Sequence, residues 1–250
     1  MKSRKLAACV RLTTGVVIAL LLFVPAHAQD ISINFGQGSG LTERVIQMIA
    51  LLTVLSLAPS ILVMMTSFTR IVVVLSLLRT ALGTATAPPN AVIVSLALFL
   101  TAFVMGPAFQ RSYEIGIRPL IANEITAEQA FERSAGPFKE FMLKNVREKD
   151  LKLFNDLSKE TLPASPEQMS LRILIPAFMI SELKRAFEIG FLLFLPFLII
   201  DLVVASVLMS MGMMMLPPVV VSLPFKLIFF VLVDGWSLVA GSLVQSYGSG

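Results

Sequence analysis

Hydrophobic and charged residues are segregated into long blocks along this chain. Residues 45–110 contain only 2 charged side chains and residues 173–250 contain 7, whereas residues 111–172 between them contain 20. An apolar stretch of about 20 residues is long enough to cross a bilayer as a helix. The pattern therefore predicts an all-α membrane protein in which a hydrophilic insertion separates two apolar segments.

The first 28 residues have the pattern of a cleavable signal peptide. Four basic residues precede a short apolar core, and Ala26 and Ala28 provide a cleavage site between small residues. An uncleaved first anchor is the alternative interpretation. Cleavage after Ala28 would leave a flexible periplasmic leader, rich in Gly and Ser, at residues 29–44.

Removal of the signal peptide restricts the chemistry of the mature chain. The net charge of +4 corresponds to the four basic residues that are lost, so the basic pI does not indicate nucleic-acid binding. Cys9 and His27, the single cysteine and histidine, are lost as well. The mature chain then has no Cys nucleophile, His base, disulfide or zinc site built on these ligands. We expect no metal and no cofactor.

Residues 45–110 are predicted to form a first apolar helical hairpin, with Pro88 and Pro89 at its turn. A continuous helix over residues 45–82 would be about 57 Å long, nearly twice the hydrocarbon thickness, so simple spans do not account for this segment. The positive-inside rule places Arg70 and Arg79 on the cytoplasmic side.

The charged block at residues 111–172 is predicted to be a small helical periplasmic domain. Thr126 and Gln129 have the spacing of a capping box, and Gly136-Pro137 is expected to interrupt the helix that follows. Ser165 precedes Pro166 as a second N-cap signal. An apolar stripe at helical spacing comprises Phe138, Phe141, Met142 and Val146.

Residues 173–250 are predicted to form a second apolar hairpin that carries ionisable groups. A charge in mid-membrane costs about 2.5–3.5 kcal/mol, so each requires a partner or water. Helical spacing pairs Lys184 with Glu188 and Glu182 with Arg185. The remaining three have no local partner and are expected to face a protein interior or an aqueous passage: Asp201, Lys226 and Asp234.

The two apolar segments share a turn pattern. Gly83 precedes Pro88-Pro89 by the same interval that separates Gly212 from Pro217-Pro218. Two helical hairpins with Pro-Pro turns explain the match, as paired broken hairpins occur in transport proteins. Coincidence remains the alternative, because the match depends on few positions.

Methionine is concentrated immediately before the second proline pair. Five of the seven positions from Met209 to Met215 are methionine. A ring of Met213, Met214 and Met215 from several subunits would close a pore to water and ions and still repack around a passing polypeptide. The alternative is that these side chains fill a helix–helix interface.

Long strings of this sequence resemble the FliP family of flagellar export proteins. They are SFTRIVVVLSLLRTALG, PPNAVIVSLALFLTAFVMGP, PAFMISELKRAFEIGFLLFLPFLIIDLVVASVLMSMGMMMLPP and PFKLIFFVLVDGWSLVAGSL. The resemblance extends from about residue 45 to the C-terminus and is weakest in the charged block.

The resemblance implies a core subunit of the type III export gate, in the bacterial inner membrane at the flagellar basal body. It implies several copies, five in the family, assembled with FliQ and FliR beside FlhA and FlhB around unfolded substrates. The channel-lining loop of the family falls on Met213, Met214 and Met215, and no catalytic residue is expected. The equivalent subunit of a virulence injectisome is the alternative.

The residues also raise two other function classes, an intramembrane protease and a small-solute transporter. Asp201 and Asp234 would be the carboxylates of an intramembrane aspartyl protease, but their sequence contexts do not match the motifs of that class. A small-solute transporter would also use paired broken hairpins, and it would function without further partner proteins.

Overall fold

The computed structural model describes residues 41–84, 86–158, 169–213 and 215–248. Within these residues the secondary structure is helical and contains no β-strand, which confirms the all-α class. The signal peptide, most of the leader and the Ser165 capping signal lie outside the described residues. Residues 53–250 form one compact unit, and residues 41–52 belong to a separate unit at the start of the first helix.

The described helices are short at the start of the charged block and long in the apolar segments. Their bounds are α1 Leu41–Met64, α2 Phe68–Leu82, α3 Asn90–Ser112, a π-helix Tyr113–Ile117, α4 Arg118–Ile121, α5 Ala127–Asn145, α6 Glu148–Ser158, α7 Leu171–Ser210, α8 Pro218–Leu232 and α9 Gly235–Gly248.

Two of these helical segments are long and apolar enough to cross a membrane, and the bent pair α8–α9 adds a third if it is one span. They are Asn90–Ile121 and Leu171–Ser210, and only 22% and 11% of their most apolar windows are buried in the protein. The remaining apolar surface needs lipid or another protein to cover it. At 40 residues, α7 is about 60 Å long, so it extends well beyond the roughly 30 Å of hydrocarbon.

The helix α2 is the centre of the larger core. Ile71, Val74, Leu75 and Leu78 recur at intervals of three or four residues, and each is at most 2% exposed. They pack with residues of α3, α7, α8 and α9, including Ala97, Ala186, Phe230 and Leu243. The apolar segments therefore share one core within residues 53–250.

The charged block is attached to the apolar helices by a second core. Phe138 and Met142 of α5 are buried with Met105 of α3 and Phe178 of α7. The predicted stripe thus turns inward, since its remaining members, Phe141 and Val146, pack against the same cluster. The capping box at Thr126 and Gln129 is also confirmed, with both reciprocal hydrogen bonds present.

Prolines interrupt the helices less than the sequence predicted. Pro137 lies inside α5, which continues to Asn145, so the predicted interruption at Gly136-Pro137 is wrong. Pro176 and Pro196 lie inside α7, which is likewise continuous. A proline removes one hydrogen bond from a helix. The residue that follows each proline is buried (Phe138, Ala177 and Phe197), and Pro137 itself is buried, so tertiary packing helps to maintain these helices.

Gly116 of the π-helix allows α5 to approach closely. A Cβ at this position would lie 2.0 Å from Ser134 Oγ and 2.9 Å from the Ala130 carbonyl oxygen. A Cβ at Gly106, within α3, would meet no atom within 4 Å. Gly116 and Gly106 therefore provide a matched pair of sites for substitution by alanine, one crowded and one open.

We expect Gly116→Ala to lower the free energy of unfolding by about 1–3 kcal/mol, because backbone atoms of α5 must move away. Gly106→Ala should leave it unchanged or raise it by up to about 1 kcal/mol through helix propensity. Denaturant unfolding of the purified protein in detergent measures both. Equal effects of the two substitutions would contradict the close approach.

Candidate functional site

A buried ion pair joins the first turn of α2 to the N-terminal third of α7. Arg70 and Glu182 have side-chain exposures of 1% and 0%. The Arg70 guanidinium donates in a bidentate arrangement, from Nε to Glu182 Oε2 at 2.9 Å and from Nη2 to Oε1. Arg–carboxylate pairs of this geometry are among the strongest hydrogen-bonded pairs in proteins.

The last turns of α9 complete this pair. Arg70 Nη1 donates to Ser246 Oγ at 2.9 Å, and the guanidinium carbon lies 3.8 Å from the centre of the Tyr247 ring. The Tyr247 hydroxyl donates to Glu182. We call Arg70, Glu182, Ser246 and Tyr247 the Arg70 cluster. It links α2, α7 and α9, and its hydrogen bonds compensate for desolvation that costs several kcal/mol per ion.

A second ion pair, buried at its lysine and partly exposed at its aspartate, links α7 to α8. Lys226 is 3% exposed, and its Nζ donates to Asp201 Oδ2 at 2.6 Å and to the Ala81 carbonyl oxygen at 3.2 Å. Ser222 Oγ donates to Asp201 Oδ1 at 2.5 Å. Asp201, Ser222 and Lys226 form the Asp201 cluster. The lysine also adds a positive charge at the C-terminal end of α2, where the helix dipole favours one.

The other charges of the second apolar segment are exposed or partly exposed. Lys184 and Glu188 form the predicted ion pair at 3.6 Å, with both side chains more than half exposed. The predicted pairing of Glu182 with Arg185 is wrong, because Glu182 faces α2 and binds Arg70. Asp234 is exposed at the bend between α8 and α9.

Asp201 and Asp234 are not brought together as a catalytic dyad. Asp201 is bonded to Lys226 and Ser222. Asp234 lies eight residues beyond Lys226, about 12 Å further along the chain by helical rise. Within the described residues neither carboxylate has the other as a partner, so the geometry gives no support to an aspartyl protease.

Sequence reasoning missed a third charge cluster, at the junction of the charged block and α7. Arg147 Nε donates to Asp150 Oδ2 at 2.8 Å, and Ser181 Oγ donates to the same oxygen at 2.7 Å. Burial alone would raise the pKa of the Asp150 carboxyl, but the hydrogen bonds from Ser181 and Arg147 outweigh it and hold that pKa below its usual value. The cluster fixes the start of α6 against α7.

The sequence placed Arg70 and Arg79 on the cytoplasmic side because of their charge. In the structure, both side chains form hydrogen bonds within the protein. Arg79 donates from Nη1 to the Pro88 carbonyl oxygen at 3.3 Å, inside the connection between α2 and α3. The isolation of Arg70 in a long apolar stretch was the available signal that it needed a buried partner.

The proline pairs lie in two connections that each begin near a glycine of positive φ. Pro88 and Pro89 precede α3, and Pro217 and Pro218 lie at the start of α8. Gly83 and Gly212 both adopt positive φ, at 75° and 71°. Only glycine enters this region without a steric cost; Gly83 is the C-cap of α2, and Gly212 directly follows the C-cap of α7.

The connection between α7 and α8, residues 211–217, is the methionine loop. Met213 is 42% exposed and Met215 is 99% exposed, while Met214 lies outside the described residues. The two described methionines therefore do not fill the core of their own chain. Next to the loop, α7 and α8 line an open apolar cavity of about 480 Å³, with walls that include Val203, Val207, Leu208 and Val221.

Comparison with known proteins gives one consistent result. Residues 51–243 match the FliP family. A protein of Caulobacter vibrioides named flagellar biosynthetic protein FliP is 61% identical, over 98% of this chain and 92% of its own length. Proteins of the same name from Rhizobium meliloti and Bacillus subtilis are 49% and 55% identical, over 95% and 81% of this chain and 99% and 91% of theirs. The similarity covers both apolar segments and the charged block.

Glu182 and Glu188 provide a matched test of the Arg70 cluster, because they lie on the same helix. We expect Glu182→Gln to lower the free energy of unfolding by about 3–5 kcal/mol, since it leaves the Arg70 charge buried without compensation. Glu188→Gln, the same chemical change at an exposed pair, should lower it by no more than about 1 kcal/mol. Denaturant titration in detergent measures the difference, and similar losses for the two variants would contradict the assignment.

Proposed function

The chain belongs to the FliP family, and from this membership and the geometry above we propose how it takes part in flagellar protein export. It is a membrane protein of the flagellar export apparatus, and it functions as a subunit of the export gate required for flagellum assembly. The observation that supports the mechanism is the exposed methionine loop, held on a hairpin whose two helices are joined by the ion pair of Asp201 and Lys226.

We propose that Met213, Met214 and Met215 from several copies form a gasket that closes the conduit. The described members of this set extend away from the core of their own chain and are free to meet other copies. Methionine is unbranched and adapts to irregular shapes, so a ring of thioethers excludes water at rest and repacks around an extended substrate. An apolar constriction of this kind blocks ions by dewetting.

The Asp201 cluster supplies the fixed base that such a loop requires. Asp201 lies nine residues before the end of α7, about 13 Å from the loop, and Ser222 lies one turn into α8. Their hydrogen bond holds the two helices together below the loop. Lys226 extends the connection to α2 through the Ala81 carbonyl. The loop can then rearrange while the hairpin stays in place.

The arrangement around this gasket follows from the same proposal. Residues 45–110 and 173–250 form two hairpins of a multi-pass inner-membrane protein, and residues 111–172 face the periplasm. The chain forms a homo-oligomer, a pentamer as in the family, with FliQ and FliR, and FlhA and FlhB complete the wider gate. Unfolded flagellar subunits are the substrate. The chain contributes no catalytic residue and contacts no nucleic acid.

The export role is tested by deleting the gene and scoring filaments by microscopy and hook-subunit secretion by immunoblot. We expect both to be lost and to be restored by a plasmid copy. Intact flagella with normal hook secretion in the deletion strain would contradict the flagellar assignment and favour an injectisome gate.

The gasket is tested in the same strain by replacing Met213, Met214 and Met215 together with Gly. We expect the assembled gate to leak ions, because the apolar barrier is removed, and the leak is measured as loss of membrane potential. Replacement of the three by Leu is the matched control and should preserve the barrier, since Leu remains apolar. A Gly variant that assembles at normal levels and does not leak would contradict the gasket.

A further inference from the structure

Helix α5 and the end of α3 line an open cavity of about 670 Å³ in the charged block. Its walls combine apolar side chains with three basic side chains and one acidic side chain. The residues that matter here are Ile115 and Leu143, with Arg111, Lys139, Lys144 and Glu140. The cavity therefore suits an occupant that brings apolar surface and negative charge together.

Two of the basic side chains in this cavity have no counterion. Arg111 Nη1 donates to Glu140 Oε2 at 2.9 Å, so these two charges compensate each other. Lys139 and Lys144 have no carboxylate partner within the described residues. A carboxylate placed beside the cavity by another protein would complement both lysines.

The same helix carries a complementary surface near its N-terminal end. Phe131 is 71% exposed, more than any other large apolar side chain described in residues 111–172. Glu128 lies one turn before it and Glu132 directly follows it, and both are exposed. Neither glutamate forms an ion pair within the described part of the chain. An exposed aromatic side chain of this kind is typical of an anchor that enters a pocket of a partner protein.

Phe131 and the cavity lie on different faces of α5, so the contact requires a second copy of the chain. At about 100° per residue, Phe131 lies roughly opposite Glu140 and about 140° from Gly136, both of which line the cavity. A copy that receives Phe131 from one neighbour still presents its own Phe131 to another. Contacts of this head-to-tail kind generate rings or helical assemblies.

We propose that Phe131 of one copy inserts into the α5 cavity of the next copy. The ring packs between Ile115 and Leu143, and the two adjacent glutamates approach the two unpaired lysines of the wall. This inference rests on the proposed homo-oligomer, and it names the surface through which the charged blocks of neighbouring copies meet.

Gly136 provides a way to close the cavity without changing its charges. It lines the wall, and a Cβ at this position would meet no atom within 4 Å. Glycine in a helix interior is less favourable than most other residues. Gly136→Leu therefore places a side chain in the free space and also favours the helix. Leu157 provides a matched control, because it is 67% exposed in the same block and does not line the cavity.

The test measures self-association of the purified full-length protein in detergent, by light scattering during dilution. Phe131→Ala should raise the concentration at which the oligomer dissociates about thirtyfold, as expected for loss of an aromatic anchor. Gly136→Leu should have a similar effect, and Leu157→Ala should have none. Circular dichroism checks that each variant is folded. Unchanged association of Phe131→Ala or Gly136→Leu, or an equal loss in Leu157→Ala, would overturn the contact.

Charge reversal establishes whether the occupant is a second copy or a different protein. Lys139→Glu with Lys144→Glu should weaken self-association, because the cavity then repels the glutamates. Glu128→Lys with Glu132→Lys should weaken it for the same reason. A chain that carries all four substitutions should associate again. Loss without this recovery would assign the cavity to another acidic partner and would overturn the contact.

Hook-subunit secretion by the same variants in the deletion strain separates this contact from the export role. Normal secretion by the wild-type chain, together with unchanged self-association of the Phe131→Ala variant, would overturn the contact and leave the proposed function standing. A wild-type chain that remains monomeric at every concentration would contradict the homo-oligomer, and the contact with it.

Discussion

The packing of residues 53–250 depends on the compensation of one buried charge. Arg70 lies on the helix at the centre of the larger core, where an unpaired cation would cost several kcal/mol. Glu182 neutralises it, and Tyr247 covers the guanidinium and binds the same carboxylate. These partners lie on α7 and α9, so the three helices must meet at this point for any of the charges to be satisfied.

Compensation of charge within the protein also explains why the hairpin of α7 and α8 is fixed while the methionine loop is exposed. Asp201 and Lys226 satisfy each other between α7 and α8, and the lysine binds a carbonyl of α2. Beyond them, Met213 and Met215 have little contact with their own chain. A gasket that must seal and also admit a polypeptide needs this combination of a rigid support and adaptable side chains.

Local patterns in the sequence predicted the features that depend on neighbouring residues. The capping box at Thr126 formed as expected, and the family suggested by long strings of sequence was confirmed by comparison. The partner of Glu182 was missed because i, i+3 spacing identifies only neighbours on one helix, whereas Arg70 is 112 positions away. Pro137 was expected to interrupt its helix, and burial against other helices, which no local pattern shows, maintained it.

A double-mutant cycle on Arg70 and Glu182 tests most directly whether this pair holds the three helices together. Arg70→Met, Glu182→Leu and the double variant are compared by denaturant unfolding in detergent. Each single substitution leaves one charge buried, so we expect about 3–5 kcal/mol of destabilisation from each and a loss from the double variant well below their sum. Losses that simply add would show that the two charges do not depend on each other and would contradict the account.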